Sequence, residues 1–355
     1  MYIVQNYPLA ILFCVITMFC WGSWGNTQKL ASTTWRYEYF YWDYVIGVLL
    51  FSLISAFTLG STGAEGQSFL ENLSKADSNS LGSAFLGGVI FNAANILLAA
   101  AIAICGLSVA FPVGIGLALV LGVLINYFGA AKGEPLYIFV GVVFIVIAIL
   151  MNALAYRKAS AGVKQDSASS SAGDKKTSAT QTAQAKKVLT KGILLSVACG
   201  IIMSLFYRFV VASMDMENFA APAAGKLTPY TAVVIFALGV FASNFIFNTF
   251  AMKRPVSGDP IPVSGYFKGK PITHMVGMLG GIIWCVGQSF SMIASEKAGA
   301  AISYGLGQGA TLVSAAWGIF IWKEFKDAPA ASGKLNAGMF VFFLIGLAFL
   351  IYAGA

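Results

Sequence analysis

Charged residues are scarce in this chain of 355 residues. Asp, Glu, Lys and Arg make up 10% of it, hydrophobic residues make up 58%, and the mean hydropathy is +0.79. So few polar side chains do not cover the surface of a water-soluble globule of this length. The composition excludes an ordinary soluble domain and predicts an all-α polytopic membrane protein, because helices satisfy their own backbone hydrogen bonds in lipid.

Side chains that bind metals or perform catalysis are also few. His274 is the only histidine, and none of the five cysteines stands in a CxxC pair. No histidine, cysteine or paired carboxylates stand at a metal-binding or catalytic spacing. We therefore expect no metal, no cofactor and no enzymatic activity. The net charge of +8 needs no nucleic-acid partner to explain it, because the lysines and arginines set the orientation in the membrane.

Long apolar segments are what the chain has in abundance. Ten of them reach the length of about 18 residues that spans a membrane. They lie approximately at 9–28, 40–59, 83–104, 107–128, 136–156, 191–213, 228–251, 275–295, 299–322 and 336–353. The connections are short apart from residues 157–190, which are chiefly Ser, Ala, Thr, Gln and Lys and too polar to fold alone. We predict that 157–190 is a disordered cytoplasmic linker.

The two parts of the chain on either side of this linker, 1–156 and 191–355, resemble each other. A shift of 193 positions places 86–88 (LGG) on 279–281 (LGG) and also Gly106 on Gly299. Each part holds five spans, and an odd number makes the second repeat insert upside down relative to the first. Two inverted five-helix repeats are typical of transporters, which expose a site near the bilayer midplane to each side in turn.

The lysines and arginines predict the orientation. Seventeen of the 22 lie in the connections after the first, third, fifth, seventh and ninth spans, and four lie in the other connections. By the positive-inside rule the lysine-rich side, with the central loop, faces the cytoplasm. Both termini then face outward. We expect an integral membrane protein of a bacterial inner (plasma) membrane.

Polar side chains inside the apolar spans mark the predicted binding site, because such groups are costly in hydrocarbon. Carboxamides offer donors and acceptors, and tryptophan rings stack on a flat ring or on the apolar face of a sugar. Interhelical hydrogen bonds and an interfacial belt of tryptophans are alternative roles. Asn95 and Gln288 are related by the 193-residue shift, so we expect them to face each other. The predicted substrate-binding residues are Trp21, Trp24, Asn92, Asn95, Gln288, Ser291, Tyr304 and Gln308.

A few charged side chains lie in or beside the spans. Asp43, and after it Glu38, is the predicted proton-coupling residue, because a carboxylate in a dehydrated cavity can bind and release a proton in each cycle. An ion pair between Lys29 and Asp43 is the alternative role. Arg208 lies inside the sixth span, where we expect either a structural clamp on carboxylates and helix carbonyls or a clamp on an anionic substrate.

Five segments carry a family likeness: 20–29 (CWGSWGNTQK), 35–44 (WRYEYFYWDY), 57–61 (FTLGS), 87–92 (GGVIFN) and 109–116 (VAFPVGIG). They resemble the ureide permease family of the drug/metabolite transporter superfamily, to which the glucose/ribose porters are neighbours. The resemblance implies proton-coupled import of allantoin, uracil and related oxo-heterocycles. The central loop is shorter than in the plant members and lacks their nucleotide-binding Gly-Lys-Ser/Thr motif, so the chain looks more like a bacterial relative.

We therefore predict a secondary active transporter that takes up a small neutral polar solute, such as uracil or allantoin, by proton symport. A sugar transporter of the glucose/ribose type and a drug or metabolite exporter are alternatives, because rings and carboxamides also hold a hexose. The expected partners are the small-molecule substrate, the coupling proton and membrane lipid. A homodimer is a candidate assembly, and no nucleic acid is expected.

Overall fold

The computed structural model describes residues 1–129, 132–170, 175–326 and 328–355, and of residues 156, 157, 159–170 and 175–187 it describes only the backbone. Helices build these parts. The first part of the chain contains α1 (Tyr7–Ser23), α2 (Gly25–Ala31), α3 (Tyr37–Phe57), α4 (Phe69–Lys75), α5 (Ser78–Cys105), α6 (Leu107–Ala110), α7 (Gly116–Gly129) and α8 (Pro135–Ser170). The second contains α9 (Lys175–Ala212), α10 (Pro229–Lys253), α11 (Pro271–Ala298), α12 (Ala300–Gln308), α13 (Ala310–Ala316) and α14 (Ala330–Tyr352).

Nine helical stretches in the described part of the chain are long and apolar enough to cross a membrane. They match nine of the ten predicted segments, and the all-α polytopic architecture is confirmed. The remaining segment, 299–322, is divided into α12, α13 and a π-helical turn at Trp317–Ile321. None of these pieces has the length of a span by itself. A second π-helical turn, Phe111–Ile115, joins α6 to α7 beside Pro112, which cannot donate the usual helical hydrogen bond.

Residues 157–190, the predicted linker, fall on the end of α8 and the beginning of α9. Positions 171–174 lie outside the described residues. The division of the chain into two repeats joined by this segment stays a prediction.

Sharp turns at two glycines follow the long helices α5 and α11. Gly106 has φ 79° and Gly299 has φ 81°, a left-handed conformation that glycine adopts without steric cost. In both places the next helix begins at once, without a loop. Each turn therefore aims a short helix, α6 or α12, away from the axis of the long helix before it.

The long helices pack mainly across the two halves of the chain. α5 lies against α9 and α10, α11 lies against α1 and α3, and α8 lies against α14. Glycines permit two of these close crossings. A Cβ added at Gly88 would lie 2.0 Å from the Phe236 carbonyl oxygen, and one added at Gly281 would lie 1.9 Å from that of Tyr44. Small residues at helix crossings let the backbones approach in this way.

Contacts among loops and helix ends define two ends of the bundle. At the first, the Glu324 end, Lys29 from the last turn of α2 pairs with Glu324 from the loop before α14. At the second, the terminal end, the amino group of Met1 donates to the Gly63 carbonyl at 3.3 Å. There, too, the carbonyl of Ala353 accepts from the backbone N–H of Glu134, the residue before α8. Both chain termini therefore lie at the same end.

Candidate functional site

A small cavity lies between helices of the two halves. Its volume is about 20 Å³, close to the space that one water molecule needs. Four of the predicted substrate-binding residues line it, namely Trp21, Trp24, Asn95 and Gln308. The other lining residues are Phe91, Leu98, Phe111, Ile115, Met203, Phe206, Trp284 and Ala310.

Aromatic rings form half of the cavity lining, six of its twelve residues. Trp21 and Trp284 are nearly parallel, with 5.7 Å between ring centroids and 7° between planes. Phe91 lies 4.2 Å from Trp284, and Trp24 tilts against Tyr44 at 4.9 Å. Such faces suit a flat ring. Trp284 is missing from the set predicted from the sequence, although the 193-residue shift that aligns it with Phe91 was a signal for it.

Two buried polar side chains, one in the cavity lining and one on α11 outside that lining, have no hydrogen-bond partner within the described residues. They are Trp21, through Nε1, and Gln288, through both carboxamide atoms. Gln288 is 0% exposed and stands one helical turn after Trp284 on α11. Buried polar groups are nearly always hydrogen-bonded, because burying them unpaired is costly. These atoms therefore suit a partner that the chain itself does not supply.

The two asparagines of α5 differ in their surroundings. Asn95 lines the cavity and donates from Nδ2 to the Tyr41 hydroxyl at 3.2 Å. Asn92 accepts from the same hydroxyl at 3.0 Å and donates to Ser243 Oγ at 3.0 Å. Asn92 thus joins α3, α5 and α10, and it is not among the lining residues.

Ser291 and Tyr304 are buried and also lie outside the cavity lining. Ser291 Oγ is 3.0 Å from the Tyr207 hydroxyl and 3.1 Å from Ser303 Oγ. The Tyr304 hydroxyl donates to the Ala118 carbonyl at 3.1 Å. These bonds tie α11 and α12 to α9 and α7.

The carboxylate of Asp43 is buried and held by two side chains from the other half. Tyr266 donates to Oδ1 at 2.5 Å, and His274 Nδ1 lies 2.9 and 3.0 Å from the two oxygens. Burial and then the neighbouring carboxylate raise the pKa of Tyr266, so its hydroxyl stays protonated and donates. Trp35 lies edge-on to His274, 5.0 Å away. His274 is not among the site residues predicted from the sequence. The only signal for it there is that the chain has no other histidine.

Lys29 does not pair with Asp43, the alternative that the sequence left open. It pairs with Glu324, whose Oε1 also accepts from the backbone N–H of Leu107 at 3.2 Å. Oε2 accepts from both the backbone N–H, at 2.9 Å, and the hydroxyl of Ser108. Burial alone would raise the pKa of Glu324, but the hydrogen bonds from Lys29 and Ser108 outweigh it and lower that pKa. We call Lys29, Leu107, Ser108 and Glu324 the Glu324 clasp.

The second predicted carboxylate and the predicted clamp both lie apart from the cavity. Glu38 is 0% exposed and accepts from Arg36 through Nε at 3.2 Å and Nη2 at 2.5 Å. Arg208 lies half-buried on α9 beside Gly129. No carboxylate in the described ranges forms an ion pair with Arg208.

Reactive and metal-binding groups are dispersed. In the part of the chain that the structure describes, no three His, Cys, Asp or Glu side chains are grouped to hold a metal ion. The five cysteines are free, and Cys14, Cys199 and Cys285 are buried. An aromatic cavity with unpaired polar atoms suits reversible binding of a small solute.

Known proteins resemble this chain over nearly its whole length. The Ureide permease family model matches residues 40–193 and 183–353. Ureide permease 1 of Arabidopsis thaliana is 25% identical over 390 residues, which cover 99% of this chain and 98% of the relative. Ureide permease 5 of the same plant is 25% identical over 396 residues, with 99% and 95% covered. Probable ureide permease A3 of Vigna unguiculata is 23% identical over 342 residues, with 84% and 91% covered.

A family of permeases rather than enzymes, together with nine apolar helices, makes this an integral membrane protein. The two matches of the family model together cover residues 40–353 and leave only 1–39 and 354–355 outside. The chain belongs to the ureide permease family.

Proposed function

We propose that this chain is a secondary active transporter that takes up a ureide or a related oxo-heterocycle such as uracil. The observation that carries the proposal is the aromatic cavity, beside which Trp21 and Gln288 offer polar atoms without a protein partner. A flat ring with urea or imide groups supplies a face for the tryptophans and both an acceptor and donors for these atoms. The relatives, by name ureide permeases, agree with this substrate class.

The cavity must widen to admit such a solute. At about 20 Å³ it is far below the roughly 300–1,000 Å³ typical of small-molecule sites. Contacts close the bundle at both ends. The clasp lies at the Glu324 end, and at the terminal end Lys132 donates to the backbone carbonyl of Glu296. Alternating access would open one end at a time around the cavity.

Two inverted repeats with ten crossings supply the architecture for this cycle. α5 and α11 have 28 residues each and begin 193 positions apart. Phe91 and Trp284, related by the same shift, touch each other. The packing of α5 on α9 and α10 has its counterpart in that of α11 on α1 and α3. A pseudo-twofold axis between repeats produces this exchange of partners.

The divided segment supports the tenth crossing. It begins after Gly299, which packs against Lys132 at the terminal end, and leads to Glu324 at the other end. The lysine-rich Glu324 end is proposed to face the cytoplasm, in a bacterial inner membrane.

Asp43 is the proposed site of the coupling proton, with His274 as its exchange partner. A buried carboxylate beside an imidazole can bind and release a proton. Asp43→Asn is expected to abolish accumulation against a gradient while substrate exchange persists, and Glu38→Gln is the matched comparison. Normal accumulation by Asp43→Asn, or loss of exchange as well, would reject the coupling role.

Uptake by cells expressing the chain tests the proposed function. Radiolabelled allantoin, uracil and glucose are supplied with and without a proton uncoupler, and Gln288→Leu serves as the site variant. We expect allantoin or uracil to accumulate, to be lost with uncoupler, and to be taken up with much lower affinity by the variant. Uptake of glucose alone would make the chain a sugar transporter. Raised drug resistance without uptake of any of the three would make it an exporter.

A further inference from the structure

A second, larger hollow opens on the surface at the Glu324 end. It lies between the π-helical turn Trp317–Ile321, the loop that follows it and the first turns of α14. Its volume is about 490 Å³, and it shares no lining residue with the central cavity. We call it the α14 groove. Nothing in the proposed transport cycle uses it.

The α14 groove is basic at its mouth and apolar along its length. Lys323 and Lys326 are exposed in the loop before α14, where that span begins. Further along, Phe320 is 64% exposed and lies 5.9 Å from the ring of Phe340. Gly333, also in the lining, leaves open space, since a Cβ there would meet nothing within 4 Å. Positive charge at the membrane surface and an apolar channel below it match the two parts of an anionic phospholipid.

Lys323 has a strained backbone. Its φ of 53° makes it the only non-glycine residue with positive φ in the described ranges. That conformation is costly for a residue with a Cβ, and such strain concentrates at binding sites and switch segments. This backbone conformation points two neighbouring side chains in different directions. The side chain of Lys323 is exposed, whereas that of Glu324 turns inward to the clasp.

Asn336 adds a polar group at an intermediate depth. It is buried at 4% exposure, lines the groove, and its Oδ1 accepts from Asn152 Nδ2 at 3.5 Å. Its Nδ2 is able to donate to a further acceptor. It stands six residues into α14, about 9 Å along the helix axis.

We propose that the α14 groove binds an anionic phospholipid. The phosphate lies between Lys323 and Lys326, and one acyl chain follows α14 past Gly333 and Phe340. Charge complementarity selects the headgroup, because Glu324 of the same loop is already paired with Lys29. Asp327 of this loop lies outside the described residues. A bound lipid holds the loop that carries Glu324, so it also stabilises the clasp.

Lipid titration of the purified full chain in detergent tests this proposal. Phosphatidylglycerol and phosphatidylcholine with the same acyl chains are compared by native mass spectrometry and by the shift in Tm. We expect phosphatidylglycerol to bind and raise Tm. Lys323→Gln with Lys326→Gln is expected to weaken that binding roughly 30-fold, about fivefold for each lysine. Lys334→Gln, on an exposed part of α14 outside the groove lining, is expected to leave it unchanged.

Ala337→Phe provides a test without a change of charge, since Ala337 is exposed and lines the groove. The added ring blocks the path of the acyl chain, and we expect weaker binding of phosphatidylglycerol. If the double lysine variant does not fold, Lys326→Gln and Ala337→Phe decide, and normal binding by both overturns the proposal. The proposal is also overturned if phosphatidylcholine binds as well as phosphatidylglycerol, or if Lys334→Gln loses as much binding as the double lysine variant. The same holds if glycerol phosphate alone shifts Tm as much as phosphatidylglycerol does.

Discussion

Two buried carboxamides of this chain have opposite surroundings. Asn92 bonds to Tyr41 and Ser243, whereas both side-chain polar atoms of Gln288 lack a partner in the described residues. The sequence shows the same thing at both positions, an amide in an apolar helix. Whether side chains of other helices reach it depends on how the helices pack, which is why Asn92 and Gln288 were predicted as equivalent.

Replacing each carboxamide by leucine separates the two roles. Gln288→Leu removes no hydrogen bond within the described protein, so we expect an unchanged or higher Tm but at least tenfold weaker substrate binding. Asn92→Leu leaves Tyr41 and Ser243 short of a partner and is expected to cost about 1–3 kcal/mol of stability. Thermal unfolding and substrate binding are measured on the same detergent samples. A loss of stability in Gln288→Leu as large as in Asn92→Leu would make Gln288 a structural residue.

At the scale of helices, hydropathy predicts where spans lie but not how they begin or break. α5 starts at Ser78, five residues before the predicted boundary, because Asp77 caps its polar first turn by accepting from Ser80. The division at Gly309 lies inside a continuous apolar run, so hydropathy carries no signal of it. The contact of Asp43 with His274 joins positions 231 residues apart, which no local pattern encodes.

The crossing of α5 with α10 depends on a glycine. Gly88→Ala would press a methyl group onto the Phe236 carbonyl, and overpacking of this kind costs about 1–3 kcal/mol. Gly82→Ala, on the same helix but with no atom within 4 Å of the added Cβ, is expected to gain about 0.5–1 kcal/mol from helix propensity. Thermal unfolding of the two variants should therefore move in opposite directions. A stabilised Gly88→Ala would show that these helices do not cross so closely.

The Glu324 clasp makes the attachment of α6 sensitive to pH. The pKa of the Glu324 carboxyl lies below the ordinary 4.5. The ionised carboxylate therefore stabilises the folded protein fully above that value, and this stabilisation is lost as the pH falls through the lowered pKa. Glu324→Gln is expected to cost about 1–3 kcal/mol near neutral pH. The difference from the natural chain should vanish in strong acid. Glu71→Gln, at an exposed pair with Lys75, is the control and should change little. A pH-independent effect of Glu324→Gln would rule out its charge as the cause.

At the scale of the whole molecule, the repeat visible in the sequence and the packing of the helices agree. The 193-residue shift relates α5 to α11, and the partners of these two helices exchange accordingly. The sequence predicts that Asn95 and Gln288, related by this shift, face each other; one turn earlier on the same two helices, Phe91 contacts Trp284. In the proposed arrangement of two inverted repeats the axis would pass by this aromatic contact, and the facing of Asn95 and Gln288 stays a prediction.

Cysteine labelling tests the orientation and the number of crossings together. In a variant without the five native cysteines, single cysteines replace the exposed residues Ala64, Ser257 and Ala331. Ten crossings with the lysine-rich end inside place position 64 outside and positions 257 and 331 in the cytoplasm. A membrane-impermeant maleimide should then label Ala64→Cys in intact cells, and the other two only after permeabilisation. Labelling of Ser257→Cys with protection of Ala64→Cys would reverse the orientation. Labelling of Ala331→Cys from outside would show that the divided segment turns back before it reaches the Glu324 end.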